Sequence, residues 1–416
     1  MRVLPAGRLR GTVRIPGSKS YTNRALVAAS LSNRDWTLRN PLDSDDTRTL
    51  ALALAKLGAA VSFSEECWQV TGTVQPSQLA DPVIVDIGPA GTPARFLLAL
   101  CSAVPGFYVL DGTPRMRQRP MGDLVEALRQ LGAQIDAIDR EGFLPLRIQG
   151  RRLCGGRVRI DGGVSSQFIS ALLLMESLLD GPLSLEVLGR PVSGAYVDMT
   201  RETLAEFEGG SGVYEVPGDD SAACFFLAGA ALSSGTVRLQ GLRRNSIQPD
   251  AVFRTWAEQA GAIVDWQDGL LVTGPAEGGL RPLEVNVDEA PDAALPLAAL
   301  LAFAEGPSRL EGTNRLKDKE SDRLAAARDL LSRVATSTAS DEKGSFLTID
   351  GSRSRRTAAA FDAHDDHRVA MSAAVLALRC EAGSTLGGAE CVSKSFPRFF
   401  EMWGSLIEPA DPSGRA

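Results

Sequence analysis

Apolar runs recur along this chain in one arrangement: a short strand, a polar turn, then a helix apolar on nearly every face. The copies read GTVRIPGSKSYTNRALVAASL from Gly11, PVIVDIGPAGTPARFLLALCSAV from Pro82 and GRVRIDGGVSSQFISALLLMESLL from Gly156. Three more follow: VYEVPGDDSAACFFLAGAAL from Val213, PLEVNVDEAPDAALPLAALLAFA from Pro282 and AAFDAHDDHRVAMSAAVLAL from Ala359. Their starts are 71, 74, 57, 69 and 77 residues apart, a spacing that marks a repeat architecture. Most copies add a second, amphipathic helix, as in DDTRTLALALAKLGAAV, MGDLVEALRQLGAQI and PDAVFRTWAEQAGAIV. A glycine closes each of these helices before the next strand.

The two helix types carry different requirements. An amphipathic helix can lie on a surface, whereas one that is apolar all round must be covered on every side. Three such helices packed together inside a shell of their own sheets satisfy this. Six copies therefore predict an α/β chain of two pseudo-threefold domains, each unit running strand, buried helix, strand, surface helix and one or two strands. The 57-residue interval singles out the third copy. Its second helix, MTRETLAEFEGGSG, runs directly into VYEV without the Gly-Ala strand and hairpin of its sisters. One sheet should therefore have a short or open edge.

Composition narrows the function classes. The 416 residues, 44% hydrophobic and 23% charged, exclude disorder, collagen and coiled coil, and suggest two or three domains. A net charge of −7 argues against a nucleic-acid partner. The six cysteines form no C-x-x-C pair, and the only histidines are His364 and His367, so no metal site is expected and the cysteines read as reduced core residues. The N-terminus has no signal-like apolar region, and no apolar run is long enough to span a bilayer. A soluble, cytoplasmic protein with no membrane partner is expected. There is no P-loop and no G-x-S-x-G elbow, and GPAGTPAR only loosely approaches a dinucleotide loop, so no cofactor is expected.

The polar turns are where chemistry can sit. PGSKS, GPAGT, GGVSSQ, PGDDS, DEAPD and HDDHR each supply Ser, Thr or Asp near an expected N-cap. In the second, Thr92 and Pro93 fit a cap and a first helical position. Helix N-termini attract anions. Basic residues crowd the same turns: Lys19, Arg24, Arg95, Arg115, Arg117, Arg119, Lys319, Arg323, Arg368 and Lys394. An acidic protein with such a basic cleft would concentrate phosphates and carboxylates there. Among the acids, Asp292 is placed to cap its helix, a position compatible with catalysis. Glu320 lies between Lys319 and Arg323, whose charges favour its ionised form. Asp219, Asp365 and Asp366 read as caps, and Asp43, Asp45 and Asp46 as the acidic start of the first amphipathic helix.

In family order, PGSKSYTNRAL, LDSDDTR, AGTPAR, PRMRQRPMGDLVEAL, SSQF, KDKESDR, DDHRVAM and KSFPRFF resemble the 5-enolpyruvylshikimate-3-phosphate synthase family, also called 3-phosphoshikimate 1-carboxyvinyltransferases. The resemblance implies two domains of three βαβαββ units, with buried helices inside a shell of sheets. It implies a discontinuous domain of residues 1–16 plus 218–416, an inserted domain of 17–217, and an active site in the cleft between them. It implies a monomer that uses phosphoenolpyruvate and shikimate 3-phosphate and needs no cofactor. Carried over by motif, Lys19, Gly91, Arg119, Arg323, Arg368 and Lys394 would hold phosphoenolpyruvate. Ser20, Arg24, Ser165, Ser166, Gln167, Ser193, Tyr196, Asp292 and Lys319 would hold shikimate 3-phosphate, with Lys19, Ser20 and Arg24 touching both substrates. Asp292 would be the base toward the 5-hydroxyl. Glu320, assisted by Lys19, would donate the proton to the methylene carbon, with Thr92 and His367 in support. Three positions depart from the family pattern: Pro89 replaces the Asn before AGT, Gly194-Ala195 replaces Lys-Pro, and Arg315 replaces a polar residue. Alternative readings are a UDP-N-acetylglucosamine enolpyruvyl transferase, which typically carries Lys-Asn at the first turn and a loop Cys absent here, an RNA 3′-phosphate cyclase-like enzyme, and a catalytically inactive binding homologue.

Overall fold

The computed structural model describes residues 1–75, 81–163, 165–189, 194–275 and 279–408. Among them the α-helices are α1 (Lys19–Leu31), α2 (Asp45–Lys56), α3 (Gly91–Ala103), α4 (Gly122–Gln130), α5 (Ser166–Leu174), α6 (Ala195–Gly209), α7 (Asp220–Ser233), α8 (Phe253–Gln259), α9 (Ala294–Leu301), α10 (Arg323–Arg333), α11 (His367–Ala377) and α12 (Phe399–Ser405). The chain divides into two compact units. One joins Met1–Pro16 to Gly218–Ala416, and the other is Gly17–Pro217.

In Gly17–Pro217 the odd-numbered helices α1, α3 and α5 pack on one another, and each unit has its own hydrophobic core. Every residue from Tyr21 to Ser30 of α1 is buried, as the all-round apolar pattern requires. In the other unit α7, α9 and α11 do the same. The sheets enclose them. Helix α3, for example, lies against Gly106–Asp111 and Leu146–Gly150, and α7 against Arg8–Arg14, Thr236–Gln240 and Gly269–Thr273. Helices α2, α4 and α8 each run into a glycine with left-handed φ, Gly58, Gly132 and Gly261, which turns the chain into the following strand.

The first, second and fifth repeats each build a four-stranded sheet in which a hairpin lies outside the second strand. The second repeat does so with Val83–Asp86, Gly106–Asp111, Leu146–Gly150 and Gln134–Ala137. The fifth does so with Glu284–Asn286, Pro307–Glu311, Phe346–Asp350 and Ser337–Ala339. In the third repeat only Cys154–Asp161 and Asp180–Leu188 pair, in parallel, among the described residues. This is the short sheet that the 57-residue interval predicts. The Gln130 side chain bonds both the N–H and the C=O of Arg159, 2.9 Å each, and so occupies one edge of this sheet.

The first and fourth repeats have exchanged opening strands. Arg8–Arg14 pairs with Thr236–Gln240, and Val213–Glu215 pairs with Trp36–Arg39. The chain therefore leaves one unit after Pro16 and returns to it after Pro217. The two crossings are alike in sequence and bonding. Ile15-Pro16-Gly17 answers Val216-Pro217-Gly218; the Ser18 N–H donates to the Pro217 carbonyl at 2.7 Å, and the Asp219 N–H to that of Pro16 at 2.9 Å. Proline ends each ladder because it has no N–H to donate. A Cβ on Gly17 would collide with the Asn40 carbonyl, and one on Gly218 would lie 2.6 Å from that of Gly241.

Three expected caps are corrected. Thr92 is not the cap of α3: the cap position is Ala90, and Gly91 is the first helical residue. The Ala90 N–H bonds back to Ile87, so a turn starts the helix two residues early. Asp292 does not cap α9, whose cap position is Ala293; it lies in a preceding 3₁₀ turn, Pro291–Ala293. Asp365 caps no helix and has φ 54°, whereas Asp219 and Asp366 cap α7 and α11 through the N–H groups of Ala222 and Arg368. Among the described residues no helix is long and apolar enough to cross a membrane.

Candidate active-site residues in each unit

In the unit containing α7, α9 and α11, three cations, Lys319, Arg323 and Arg368, converge on Asp292. The 3₁₀ turn that carries it begins at Pro291, and the start of α10 supplies Arg323. One Asp292 oxygen takes Arg323 Nη1 at 2.8 Å and Lys319 Nζ at 3.4 Å; the other takes Arg368 Nη2 at 3.2 Å. Arg323 is only 1% exposed and continues to Glu320 at 2.7 Å and, through Nε, to Asp366 at 2.7 Å. Asp366 also accepts from the Ser321 hydroxyl at 3.1 Å and from the Arg368 N–H at 2.9 Å. His367, the first residue of α11, is buried beside it, with Nδ1 3.9 Å from its carboxylate.

The charges offset one another. Burial alone would raise the Asp292 pKa, but Arg368, Lys319 and Arg323 outweigh it and hold the carboxyl well below the usual range. For Asp366 burial is likewise overcome, chiefly by Arg323. Burial opposes the charge on Arg323, yet Asp366, Glu320 and Asp292 keep it firmly protonated. Lys394 ends the 3₁₀ turn Ala389–Lys394. Two residues on, the Phe396 ring packs 5.6 Å from Phe399 and 6.1 Å from Phe226, which fixes this segment to the core.

In the unit Gly17–Pro217, Lys19 is the first residue of α1 and its ammonium lies 3.0 Å from Asp46. Arg24, one turn on, is 2% exposed. Its guanidinium donates to Thr200 Oγ1 (2.8 Å), the Ser20 carbonyl (2.9 Å), Ser170 Oγ (3.1 Å) and the Tyr196 carbonyl (2.9 Å). These partners are hydroxyls and carbonyls, and burial lowers the Arg24 pKa to about 10. Arg24 thus ties Ser20 and Tyr196 to the start of α6. Ser165 caps α5, its hydroxyl accepting from the Gln167 N–H at 3.3 Å, and Ser166 is the buried first residue of that helix. Ser193 lies outside the described residues.

Gly91 and Arg119 also meet. A Cβ at Gly91 would strike the Arg119 guanidinium. Thr92 follows Gly91 in the first turn of α3. Buried Arg95 bonds the Gly91 carbonyl at 3.0 Å and the Pro120 carbonyl at 3.1 Å, and so clamps the loop carrying Arg119 onto this helix. Of the neighbouring cations, Arg117 is exposed and bonded to Asp111, and Arg115 is exposed. Three acids take parts that their motifs did not reveal. Asp46 is not simply a helix-start residue but the buried partner of Lys19. Asp366 caps α11 and also holds Arg323, and Asp250 is buried near Asp292. Adjacent acid pairs, Asp45-Asp46 and Asp365-Asp366, were the only available signal.

The family model for EPSP synthase (3-phosphoshikimate 1-carboxyvinyltransferase) matches residues 3–403. The chain belongs to the EPSP synthase family. Curated relatives named 3-phosphoshikimate 1-carboxyvinyltransferase include one from Shewanella halifaxensis, 36% identical over 98% of this chain and 99% of its own. Another, from Vibrio cholerae, is 37% identical over 97% of this chain and 98% of its own. Among solved structures, an EPSP synthase from Acinetobacter baumannii superposes with TM-score 0.78 at 24% identity, covering 98% of each chain. The enolpyruvyl transferase NikO from Streptomyces tendae gives 0.75 at 18% identity, over 97% of this chain and 96% of its own. These two likenesses concern the fold.

Two departures from the EPSP synthase pattern are absorbed locally. Gly194 and Ala195 form the cap position and first residue of α6. Arg315 lies 3.5 Å from Asp288.

Proposed function

We propose that the chain transfers the carboxyvinyl group of phosphoenolpyruvate to the 5-hydroxyl of shikimate 3-phosphate and releases phosphate. The family match over residues 3–403 carries this proposal and favours it over a UDP-N-acetylglucosamine acceptor. The convergence of Lys319, Glu320, Arg323 and Arg368 on Asp292 supports it chemically. Two polyanionic substrates need cations, and addition followed by elimination needs a proton donor and a base in reach of them.

Arg119, Arg323, Arg368 and Lys394, with Lys19 and the Gly91 turn, hold the carboxylate and phosphate of phosphoenolpyruvate. Ser20, Arg24, Ser165, Ser166, Gln167, Ser193, Tyr196 and Lys319 hold shikimate 3-phosphate. Buried Arg24, surrounded by neutral dipoles, gains most from a nearby anion. Glu320, assisted by Lys19, delivers a proton to the methylene carbon, and the adjacent carbon becomes electrophilic. The 5-hydroxyl adds there as Asp292 takes its proton. Loss of a proton from the new methyl group and of phosphate from the tetrahedral carbon restores the double bond. Thr92 and His367 support these contacts. The working species is a cytoplasmic monomer that needs no metal, cofactor, membrane or nucleic acid.

Phosphate release with both substrates tests the reaction. Turnover that depends on shikimate 3-phosphate is expected. A folded sample that releases no phosphate with both present would overturn it, and light scattering checks the monomer.

A further inference from the structure

Asp250 is a buried acid outside the roles assigned above. It lies in the 3₁₀ turn Pro249–Val252, which packs against α7, α8 and the turn carrying Asp292, and it is 2% exposed. The Ser221 hydroxyl donates to one of its oxygens, while the other is buried without a hydrogen-bond partner. The charged and titratable groups packed around it are Asp219, Asp220 and the Cys224 thiol on α7, Asp292 on its turn, Arg254 on α8 and Arg368 on α11. The two cations are already engaged: Arg254 bonds Asp220, and Arg368 bonds Asp292. An ionised Asp250 would therefore be a buried negative charge with no cation of its own, beside an Asp292 that is firmly ionised.

We propose that Asp250 is a positioning residue that acts through Arg368: neutral Asp250 leaves that guanidinium to Asp292 and to an incoming anion, whereas ionised Asp250 competes for it and weakens anion capture. Burial first, then the charge on Asp292, raises the Asp250 pKa to about 7, so the change falls within the working range of an enzyme. The coupling is reciprocal, since each ionised acid makes the other harder to ionise. This inference rests on Arg368 being a phosphoenolpyruvate contact.

The test compares wild type with Asp250→Asn, which is permanently neutral, between pH 6 and 9. The ratio of their KM values for phosphoenolpyruvate cancels the titration of the substrate itself. The ratio of wild type to variant should be near one at pH 6 and rise at least threefold by pH 9. Ser221→Ala, which removes a donor that favours the ionised form, should move that rise to higher pH. A second readout needs no turnover. Because the folded pKa of Asp250 lies above its unfolded value, the native state keeps this proton longer. Its contribution to stability is full below about pH 4 and is lost as pH rises through about 7. Wild type should therefore lose thermal stability relative to Asp250→Asn over that range. A flat KM ratio in active enzymes would overturn the inference and leave the proposed reaction intact. If neither enzyme turns over, the reaction has failed, and a flat stability difference would independently overturn the raised proton affinity of Asp250.

Discussion

Replacing Arg323 with Ala should markedly destabilise the unit built on α7, α9 and α11. The guanidinium is 1% exposed and reaches Asp366, Asp292 and Glu320 at 2.7–2.8 Å. Without it, fully buried Asp366 keeps hydroxyl and N–H donors but no cation within hydrogen-bond reach except by rearrangement. Removing one partner of a buried ion pair destabilises by about 3–5 kcal/mol. For a unit of this size each kcal/mol moves the midpoint by about 2–4 °C, so a fall of about 6–20 °C is expected. Thermal unfolding followed by circular dichroism at several pH values measures it. Asp292 and Asp366 titrate below their unfolded values in the wild type, so their contribution is present above about pH 4 and is lost as pH falls through the folded pKa values. In the variant they titrate higher, so the gap to wild type should narrow as the pH falls toward about 4 and below. Arg323→Lys keeps the charge but cannot reach three carboxylates, so it should recover only part of the loss. Exposed Arg328 on the same helix is the control, with Arg328→Ala expected within about 0.5 kcal/mol of wild type. An Arg323→Ala protein within about 1 kcal/mol of wild type at pH 7, or a gap that widens toward acid, would refute the reasoning.

Asp292→Ala and Glu320→Ala should each lower kcat by about 10²-fold or more, the usual scale for general acid–base work; near wild-type rates in folded samples would remove both from proton transfer. Gly91→Ala pushes its methyl group into Arg119, so KM for phosphoenolpyruvate should rise by about tenfold with a smaller change in kcat, read from steady-state kinetics. Asp46→Asn removes the charge that orients the Lys19 ammonium 3.0 Å away and should lower kcat/KM by about tenfold; unchanged kinetics would make that pair purely structural.

The repeat was legible because its cause is local. A helix inside a shell must be apolar on every face, and α1, α3, α5, α7, α9 and α11 all carry that pattern in one-letter code. The deficit in the third sheet was legible for the same reason, as a missing hairpin shortens an interval. The strand exchange was legible only through the family resemblance, which implied the discontinuous domain, and not from local pattern. Arg8–Arg14 has the same alternating character whichever second strand it pairs with, and its partner lies more than two hundred residues away. The acids divide similarly. Asp219 and Asp366 cap helices through N–H groups two or three residues on, a contact that sequence neighbours reveal. The pairing of Asp366 with Arg323 spans 43 residues and that of Asp46 with Lys19 spans 27, and no propensity encodes either. Thr92-Pro93 misled because a strong cap signature sits inside a helix that an earlier turn had already started.

The pairing around Asp292 also bears on how so weak a base could act. Lys319, Arg323 and Arg368 all spend donors on this carboxylate, and against burial they hold its pKa well below the usual carboxylate range. Under the proposed assignment, the same three cations meet the phosphates and carboxylates of the substrates. Each donor that turns to a substrate oxygen removes part of the field that depresses Asp292. Substrate binding would then raise the basicity of Asp292 at the moment the hydroxyl arrives, and Arg323, fixed from behind by Asp366 and Glu320, would keep it aimed. Binding becomes an exchange of partners rather than the filling of an empty site. Under that assignment the base would stay unreactive until the anions that need it are in place.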